Sequence, residues 1–269
     1  MLDAWLNKIH QGDCLELMRQ LPDNSIDMIF TDPPYGHNNN NGDLIHNREK
    51  ALGVIDSSLP STGCQNPGRP ILNDGPEAND LFQAILPEFK RVLTGPGCCC
   101  CCCCCGGGPD PQFARWSLWL DEVLEFKQMV VWDKGPMGMG WHYRRSYETV
   151  LVAQKKGGAC YWYDKSKKIE NIIRPGYLNI KKIIPSAAQH PTPKPIELPG
   201  HFIKLHTEPG MVVLDPFAGG GSTLVAAQKL NRRWIGMELS PEYCEMARER
   251  VKRETAQMNM FQNQASISP

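Results

Sequence analysis

The chain has 269 residues, 41% of them hydrophobic, and its 29 basic and 29 acidic side chains cancel to a formal net charge of zero. That length suits one substantial α/β domain with a smaller elaboration, and the charge balance argues against a protein whose whole surface coats nucleic acid. No apolar run approaches the ~18 residues of a membrane span and the first residues lack the pattern of a signal peptide, so a cytoplasmic protein with no membrane partner is expected.

Lys8 to Asp13 reads as a short strand ending in Gly-Asp, followed by an amphipathic turn with Leu15, Leu17, Met18 and Leu21 that Pro22 stops. Ile26 to Thr31 reads as the next strand, and Asp32-Pro33-Pro34-Tyr35 leaves its C-terminal end, where open α/β folds place their ligands. Two consecutive prolines fix φ, remove two backbone donors and hold the chain extended. The carboxylate and carbonyl oxygens there form a stiff acceptor array. Such an array suits an amino group that must become nucleophilic, because accepting its protons localises the nitrogen lone pair. Tyr35 adds a flat face for a base. Taken alone, the same four residues also read as a turn after a strand.

His37 to about Asp74, with four consecutive asparagines and many Gly, Pro and Ser residues, reads as a long loop, either a lid or a disordered segment. Asn79 to Leu93 has a helical core face of Leu81, Phe82, Ile85, Phe89 and Val92, and Gly95-Pro96-Gly97 is expected to end it. Of the 12 cysteines, eight form the run Cys98 to Cys105. Neighbouring strand side chains point to opposite faces, so such a run cannot close one tetrahedral site. A buried strand using Cys as a small hydrophobe is expected, and no metal site is assigned. Cys14, Cys64, Cys160 and Cys244 are scattered, as in a reducing compartment.

Gln112 to Phe126 carries a helical pattern, and Met129–Lys134 and Tyr147–Ala153 read as two strands that could pair antiparallel. Between Trp141 and Lys182 lie ten basic residues, among them Arg144, Arg145, Lys155, Lys156, Lys165, Lys167 and Lys168, against three acids. Interleaved with Tyr161, Trp162, Tyr163 and Tyr177, they suit a nucleic-acid surface, because phosphates attract the charges and unstacked bases lie on rings. A solvated insertion is the alternative.

His190 to Pro195 is a proline-rich connector into a helix over Ile196 to Leu205. Met211 to Asp215 is a fully apolar strand ending in an acid, of the kind a parallel sheet buries. It opens into Pro216-Phe217-Ala218-Gly219-Gly220-Gly221-Ser222, a helix start with Thr223, and a strand from Arg233 to Glu238. Strand, glycine turn, helix, strand and acid make a nucleoside-binding half, with the helix N-terminus and the acid facing the ligand. No G-x-x-x-x-G-K-[ST] is present, so a nucleoside triphosphate is not expected. A last helix is expected from Pro241 to about Glu254, with a disordered tail over 257–269.

With these motifs in this order, the chain resembles the S-adenosylmethionine-dependent amino DNA methyltransferases of the beta-class arrangement, in which Asp-Pro-Pro-Tyr precedes the target-recognition region and the cofactor motif comes last. The resemblance implies a Rossmann-like α/β fold, a seven-stranded, mostly parallel sheet with helices on both faces, an antiparallel final strand and a small recognition insertion. The implied organisation is a catalytic half over 1–153, an insertion over 154–189 and a cofactor half over 190–256. Asp32, Pro33, Pro34 and Tyr35 would hold the target base. Asp215, Phe217, Ala218, Gly219, Gly221, Ser222 and Thr223 would form the cofactor wall, with Glu238 on the ribose, Asp13 on the adenine edge, and Thr192 and Lys194 toward the methionine end. The family tends to place Asp before Pro-Pro-Tyr for N6 of adenine, which gives the expected activity; N4 of cytosine and a catalytically silent nucleic-acid-binding module are the alternatives. Double-stranded DNA is the implied partner, and the family admits a homodimer and a cognate restriction endonuclease.

Overall fold

A computed structural model of the chain describes residues 2–35, 72, 74–75, 77–103, 112–135, 146–178 and 194–265. The expected loop from His37 thus lies almost wholly outside the described residues, as do Arg144, Arg145 and Thr192.

Among the described residues eight strands form one sheet: β1 (Lys8–Gln11), β2 (Ile26–Thr31), β3 (Leu93–Cys103), β4 (Glu125–Asp133), β5 (Tyr147–Gln154), β6 (Ile172–Ile173), β7 (Val212–Asp215) and β8 (Arg233–Glu238). Their order is β1-β8-β7-β2-β3-β5-β4-β6. All neighbours run parallel except β5, which is antiparallel to both β3 and β4. This is the expected mostly parallel α/β sheet, with eight strands where seven are expected. The additional strand is β6, a two-residue edge pairing with Val131 and Trp132 of β4 that the basic stretch contributes. So short a strand has no periodicity to announce it.

The helices are α1 (Cys14–Met18), α2 (Glu77–Val92), α3 (Gln112–Val123), α4 (Glu197–His206), α5 (Ser222–Lys229) and α6 (Pro241–Ala265). α1, α2 and α3 cover one face of the sheet; α4, α5 and α6 cover the other. The strand period of two sorts the core accordingly. On β2, Ile29 joins the first layer while Met28 and Phe30 join the second. The cysteine run obeys the same rule, with Cys99 and Cys101 on the first face, Cys98 and Cys100 on the second, and all four buried.

Two expected boundaries move. Gly95-Pro96-Gly97 lies inside β3, and the register with β2 jumps from Ile26↔Leu93 to Met28↔Cys98. The glycines and proline make a bulge that re-aims the strand. α6 continues to Ala265, since no Gly or Pro interrupts the sequence between Glu242 and Pro269. Among the described residues no helix is long and apolar enough to cross a membrane.

β2 leads into α2 on one face and β7 leads into α5 on the other, while β2 and β7 are neighbours. The reversal of winding between them opens a crevice at their C-terminal ends, the switch point at which doubly wound sheets bind ligands.

Candidate active site

The crevice has an empty volume of about 1050 Å³ including its open mouth, and its walls carry Asp13, Asp32, Pro33, Pro34, Tyr35, Lys194, Asp215, Phe217, Ala218, Gly219, Ser222, Thr223 and Glu238. Every described residue expected at the catalytic and cofactor sites therefore meets there, except Gly221.

Gly221 serves the packing instead. It caps α5 in the left-handed region at φ 75°, and a Cβ placed on it would lie 3.1 Å from the Cβ of Ala247 on α6. Both facts require glycine.

Asp215 closes β7 and is buried. Its Oδ1 accepts from Thr31 Oγ1 at 3.1 Å and from the Phe217 amide at 3.1 Å, so it folds the glycine turn back toward β2. Burial pushes its carboxyl up to about 7 against the opposing hydrogen bonds from Thr223, Phe217 and Thr31.

Glu238 ends β8. Its Oε2 accepts the Gly219 amide at 2.9 Å and its Oε1 the Ser240 amide at 2.8 Å. Burial raises its carboxyl while these backbone donors pull it down. The carboxylate stands on the crevice wall, where it can also accept from ligand hydroxyls. Asp13 is on the same wall, but its Oδ1 caps α1 by accepting from Leu15 and Glu16 at 2.9 and 3.1 Å.

Lys194 lies on the crevice wall and has partners that the sequence does not announce. Its Nζ stands 2.8 Å from Asp32 Oδ2, 3.3 Å from Glu148 Oε2 and 3.4 Å from the Tyr35 hydroxyl. It belongs to the Asp-Pro-Pro-Tyr cluster. Glu148 in turn takes Lys134 Nζ at 2.6 Å on its other oxygen, so charges alternate Lys134, Glu148, Lys194, Asp32 along the crevice side of the sheet. Burial raises the Asp32 carboxyl, and Lys194 opposes the rise.

Asp32 Oδ1 is buried with no hydrogen-bond partner among the described residues. A buried acceptor left open is costly, on the order of 1–3 kcal/mol, and on a crevice wall it marks the place of an incoming donor.

Three supporting residues escaped the sequence. Asp74 Oδ1 accepts the Tyr35 amide at 2.8 Å and fixes the end of the motif. Trp116 of α3 lies 6.2 Å, centroid to centroid, from the Tyr35 ring. Arg250 of α6 donates to Gly220 O and Ser222 Oγ, both at 2.9 Å, bracing the glycine turn from behind. A buried Asp in a polar loop was the one available signal; the other two need the fold.

Among the described residues, five acids, Asp13, Asp32, Asp74, Asp215 and Glu238, line the crevice against one cation, Lys194. That surplus suits a ligand carrying positive charge and opposes a polyphosphate.

Among the described residues, the lysines of the basic stretch are not gathered at this crevice. Lys155 Nζ binds Asn24 Oδ1 and Leu93 O at 2.6 and 2.8 Å, at the N-terminal ends of β2 and β3, and Lys156 Nζ binds Glu122 O at 2.9 Å. Both lie on the edge of the sheet opposite Asp32. Lys165, Lys167 and Lys168 are exposed on the following loop.

Residues 26–249 match the profile of a family described as DNA methylase. Among curated proteins, the chain is 28% identical over 268 residues to the type II methyltransferase M.HinfI of Haemophilus influenzae, covering 93% of this chain and 70% of that one. It is 27% identical over 254 residues to the type II methyltransferase M2.DpnII of Streptococcus pneumoniae, covering 90% and 88%. Among solved structures, a DNA modification methylase of Thermus thermophilus complexed with S-adenosyl-L-methionine superposes with a TM-score of 0.65 at 22% identity, covering 92% and 95%. The PvuII DNA methyltransferase, cytosine-N4-specific, gives 0.64 at 17%, covering 92% and 90%. The two structures establish a shared fold.

Proposed function

Given that the chain belongs to the DNA methylase family and is an S-adenosylmethionine-dependent DNA amino-methyltransferase, we propose that it methylates N6 of adenine in duplex DNA. The observation that carries this reading is the open, buried Oδ1 of Asp32 on the crevice wall. An exocyclic amino group supplies the missing donor, and Asp before Pro-Pro-Tyr is the form the family tends to use for adenine.

The acidic crevice fits the cofactor. Glu238 would take the ribose hydroxyls, the turn at Phe217 to Gly219 would pass along the nucleoside, and the surplus of carboxylates favours a sulfonium. When bound, the cofactor supplies an electrophilic methyl group.

The chain's residues do the rest by holding atoms in place. A base inside a duplex cannot reach the crevice, so the target nucleotide is flipped out at a cost of a few kcal/mol, with Tyr35, its amide held by Asp74, as stacking face. The amino group donates to Asp32 Oδ1 and to the Pro33 carbonyl, which concentrates the lone pair on nitrogen. With the methyl that a bound cofactor would supply, its sulfur keeping the S–C electron pair, the amino nitrogen would hold one proton too many. Asp32, its carboxyl raised by burial, is placed to take that proton and release it to water. Lys194, 2.8 Å from Asp32 Oδ2, opposes that rise and favours the ionised form. No cysteine is needed in this sequence of steps.

Lys165, Lys167 and Lys168 would contact DNA phosphates beyond the flipped base. The likeness to type II methyltransferases supports a role beside a restriction endonuclease, and a homodimer is compatible with the family.

The test is transfer of labelled methyl from S-adenosylmethionine to unmethylated duplex DNA, read by nucleoside mass spectrometry, with Asp32→Ala as control. N6-methyladenine that disappears in the control is expected. Label in N4-methylcytosine would reverse the base assignment, and bound cofactor with no label in any nucleoside would point to the silent module.

A further inference from the structure

The cysteine run cannot close a metal site alone, because its side chains alternate between faces. The fold changes the argument by bringing other ligands to one of those faces. Cys98 of β3, Cys160 on the segment after β5, and His206 at the C-terminal end of α4 place one ligand atom each within 4.8 Å of one another. We propose that these three residues bind a structural thiophilic cation, Zn²⁺, at the sheet edge opposite the methyl-transfer crevice.

The spacing supports it. Ligands about 2.3 Å (sulfur) and 2.0–2.1 Å (nitrogen) from a tetrahedral zinc stand roughly 3.5 Å apart. Cys160 Sγ lies 3.4 Å from His206 Nδ1. The carbonyl oxygen of Tyr161 is 2.9 Å from the same Nδ1 and 3.4 Å from the same Sγ, which supplies an oxygen at the fourth corner.

The ligand chemistry is selective. Two thiols and an imidazole suit zinc and disfavour magnesium or calcium, which require oxygen. No carboxylate belongs to the cluster. Cys98 and His206 are 0% and 4% exposed, whereas Cys160 is half-buried and leaves a path of entry. Binding ionises both thiols, whose two protons pass to solvent, and the ring proton resides on Nε2 so that Nδ1 can ligate. The Nδ1 contact with the Tyr161 carbonyl then changes from a hydrogen bond to a shared coordination edge.

The location gives the ion a task. The three ligands come from a central strand, the end of a helix and the segment that leaves β5 for the exposed Lys165 to Lys168 loop. Around them, among the described residues, this segment is held by few backbone bonds, Tyr161 N to Pro96 O at 3.1 Å and Tyr163 N to Leu205 O at 2.8 Å. A cation joining all three would fix where the basic loop begins.

The experiment uses the full chain, purified reduced and desalted, with metal content measured by plasma mass spectrometry and Co²⁺ loaded in place of Zn²⁺ as an optical probe. One Zn²⁺ per chain is expected in the wild type and in Cys99→Ala, which removes a run thiol from the other face. Cys160→Ser and His206→Gln should both lose the ion, and Co²⁺ should give thiolate charge-transfer bands that vanish in both. Because Cys160 is half-buried, Cys160→Ser tests the site even if His206→Gln fails to fold. A wild type that takes up no Zn²⁺, a Cys160→Ser variant that retains it, or its loss in Cys99→Ala would each overturn the proposal.

Discussion

Asp215→Asn isolates the cost of burying one carboxyl under the glycine turn. Burial lifts Asp215 from 3.8 to about 7, and it is 3% exposed, so the shift translates into stability with little discount for solvent. At roughly 1.4 kcal/mol per unit, a difference of about three units corresponds to a ceiling of about 4 kcal/mol. The folded value is raised, so the folded state holds its proton more tightly than the unfolded one. Below pH 4 both states are protonated and Asp215 contributes nothing against folding. Between pH 4 and 7 the unfolded chain releases the proton while the fold retains it, and stability falls; above pH 7 the full cost is reached and stays constant. Asn keeps an oxygen for Thr31 and Phe217 and never ionises. Urea unfolding of wild type and variant at half-unit steps from pH 4 to 8 should therefore show the variant gaining on the wild type by up to about 4 kcal/mol across that window. Glu238, whose carboxyl is also raised, cancels in the difference, whereas the charge of Asp32 adds to the rise of Asp215 and belongs to the same titration. Two parallel curves would refute the assignment of this titration to Asp215.

Three further outcomes follow from the site. Lys194→Met removes the cation that lowers the Asp32 carboxyl, so kcat/KM should fall on the order of 10²-fold at neutral pH, with its acidic limb displaced to higher pH; a limb that stays in place would separate Lys194 from Asp32 ionisation. Glu238→Ala deletes both carboxylate oxygens presented at the turn, and calorimetry should find S-adenosylmethionine bound on the order of 10²-fold more weakly, whereas Asp32→Ala should bind it nearly as wild type. Gly221→Ala forces a side chain into φ 75° against Ala247 and should lower unfolding free energy by about 1–3 kcal/mol, with denaturant midpoints as the readout.

What the sequence discloses here is what adjacent residues decide among themselves. Asp32-Pro33-Pro34-Tyr35 after an apolar strand, a glycine turn after Asp215, and Glu238 at the end of the next strand are local patterns, and all three meet at one crevice. Cysteine as a strand former was legible for the same reason: alternation follows from the period of two, whatever the side chain. Lys194 was not. Its distance from Asp32 depends on where a proline-rich connector crosses the sheet, and nothing near it in the chain reports that Asp32, Glu148 and Tyr35 surround it. Gly221 shows a requirement that adjacency hides. Its neighbours Gly219 and Gly220 do line the crevice, but its own requirement comes from Ala247, on a helix that sequence adjacency does not connect to it. Lys155 and Lys156 belong with the other basic residues by composition and apart from them by position, because β5 runs antiparallel and delivers its C-terminal end to the edge away from Asp32.

The order of motifs along the chain does not constrain the site because the sheet makes it irrelevant. Thr31 and Asp215 are 184 residues apart in sequence, yet they share a hydrogen bond of 3.1 Å between adjacent parallel strands. A second long-range bond, from the Val212 amide to Asp27 at 2.8 Å, fixes the same pair of strands near their other end. β2 and β7 must be neighbours for the crevice to exist, since one leads into Asp32-Pro33-Pro34-Tyr35 and the other into the glycine turn that lines it. Neither requires the other to come first. The two strands can therefore follow one another in either order, and β1 completes the sheet beside β8 with the Gly12 amide on the Glu238 carbonyl at 3.0 Å. Placing β2 early and β7 late leaves the edge beyond β3 free for β4, β5, β6 and the basic loop, so that edge can be elaborated without disturbing the two strands that frame the crevice.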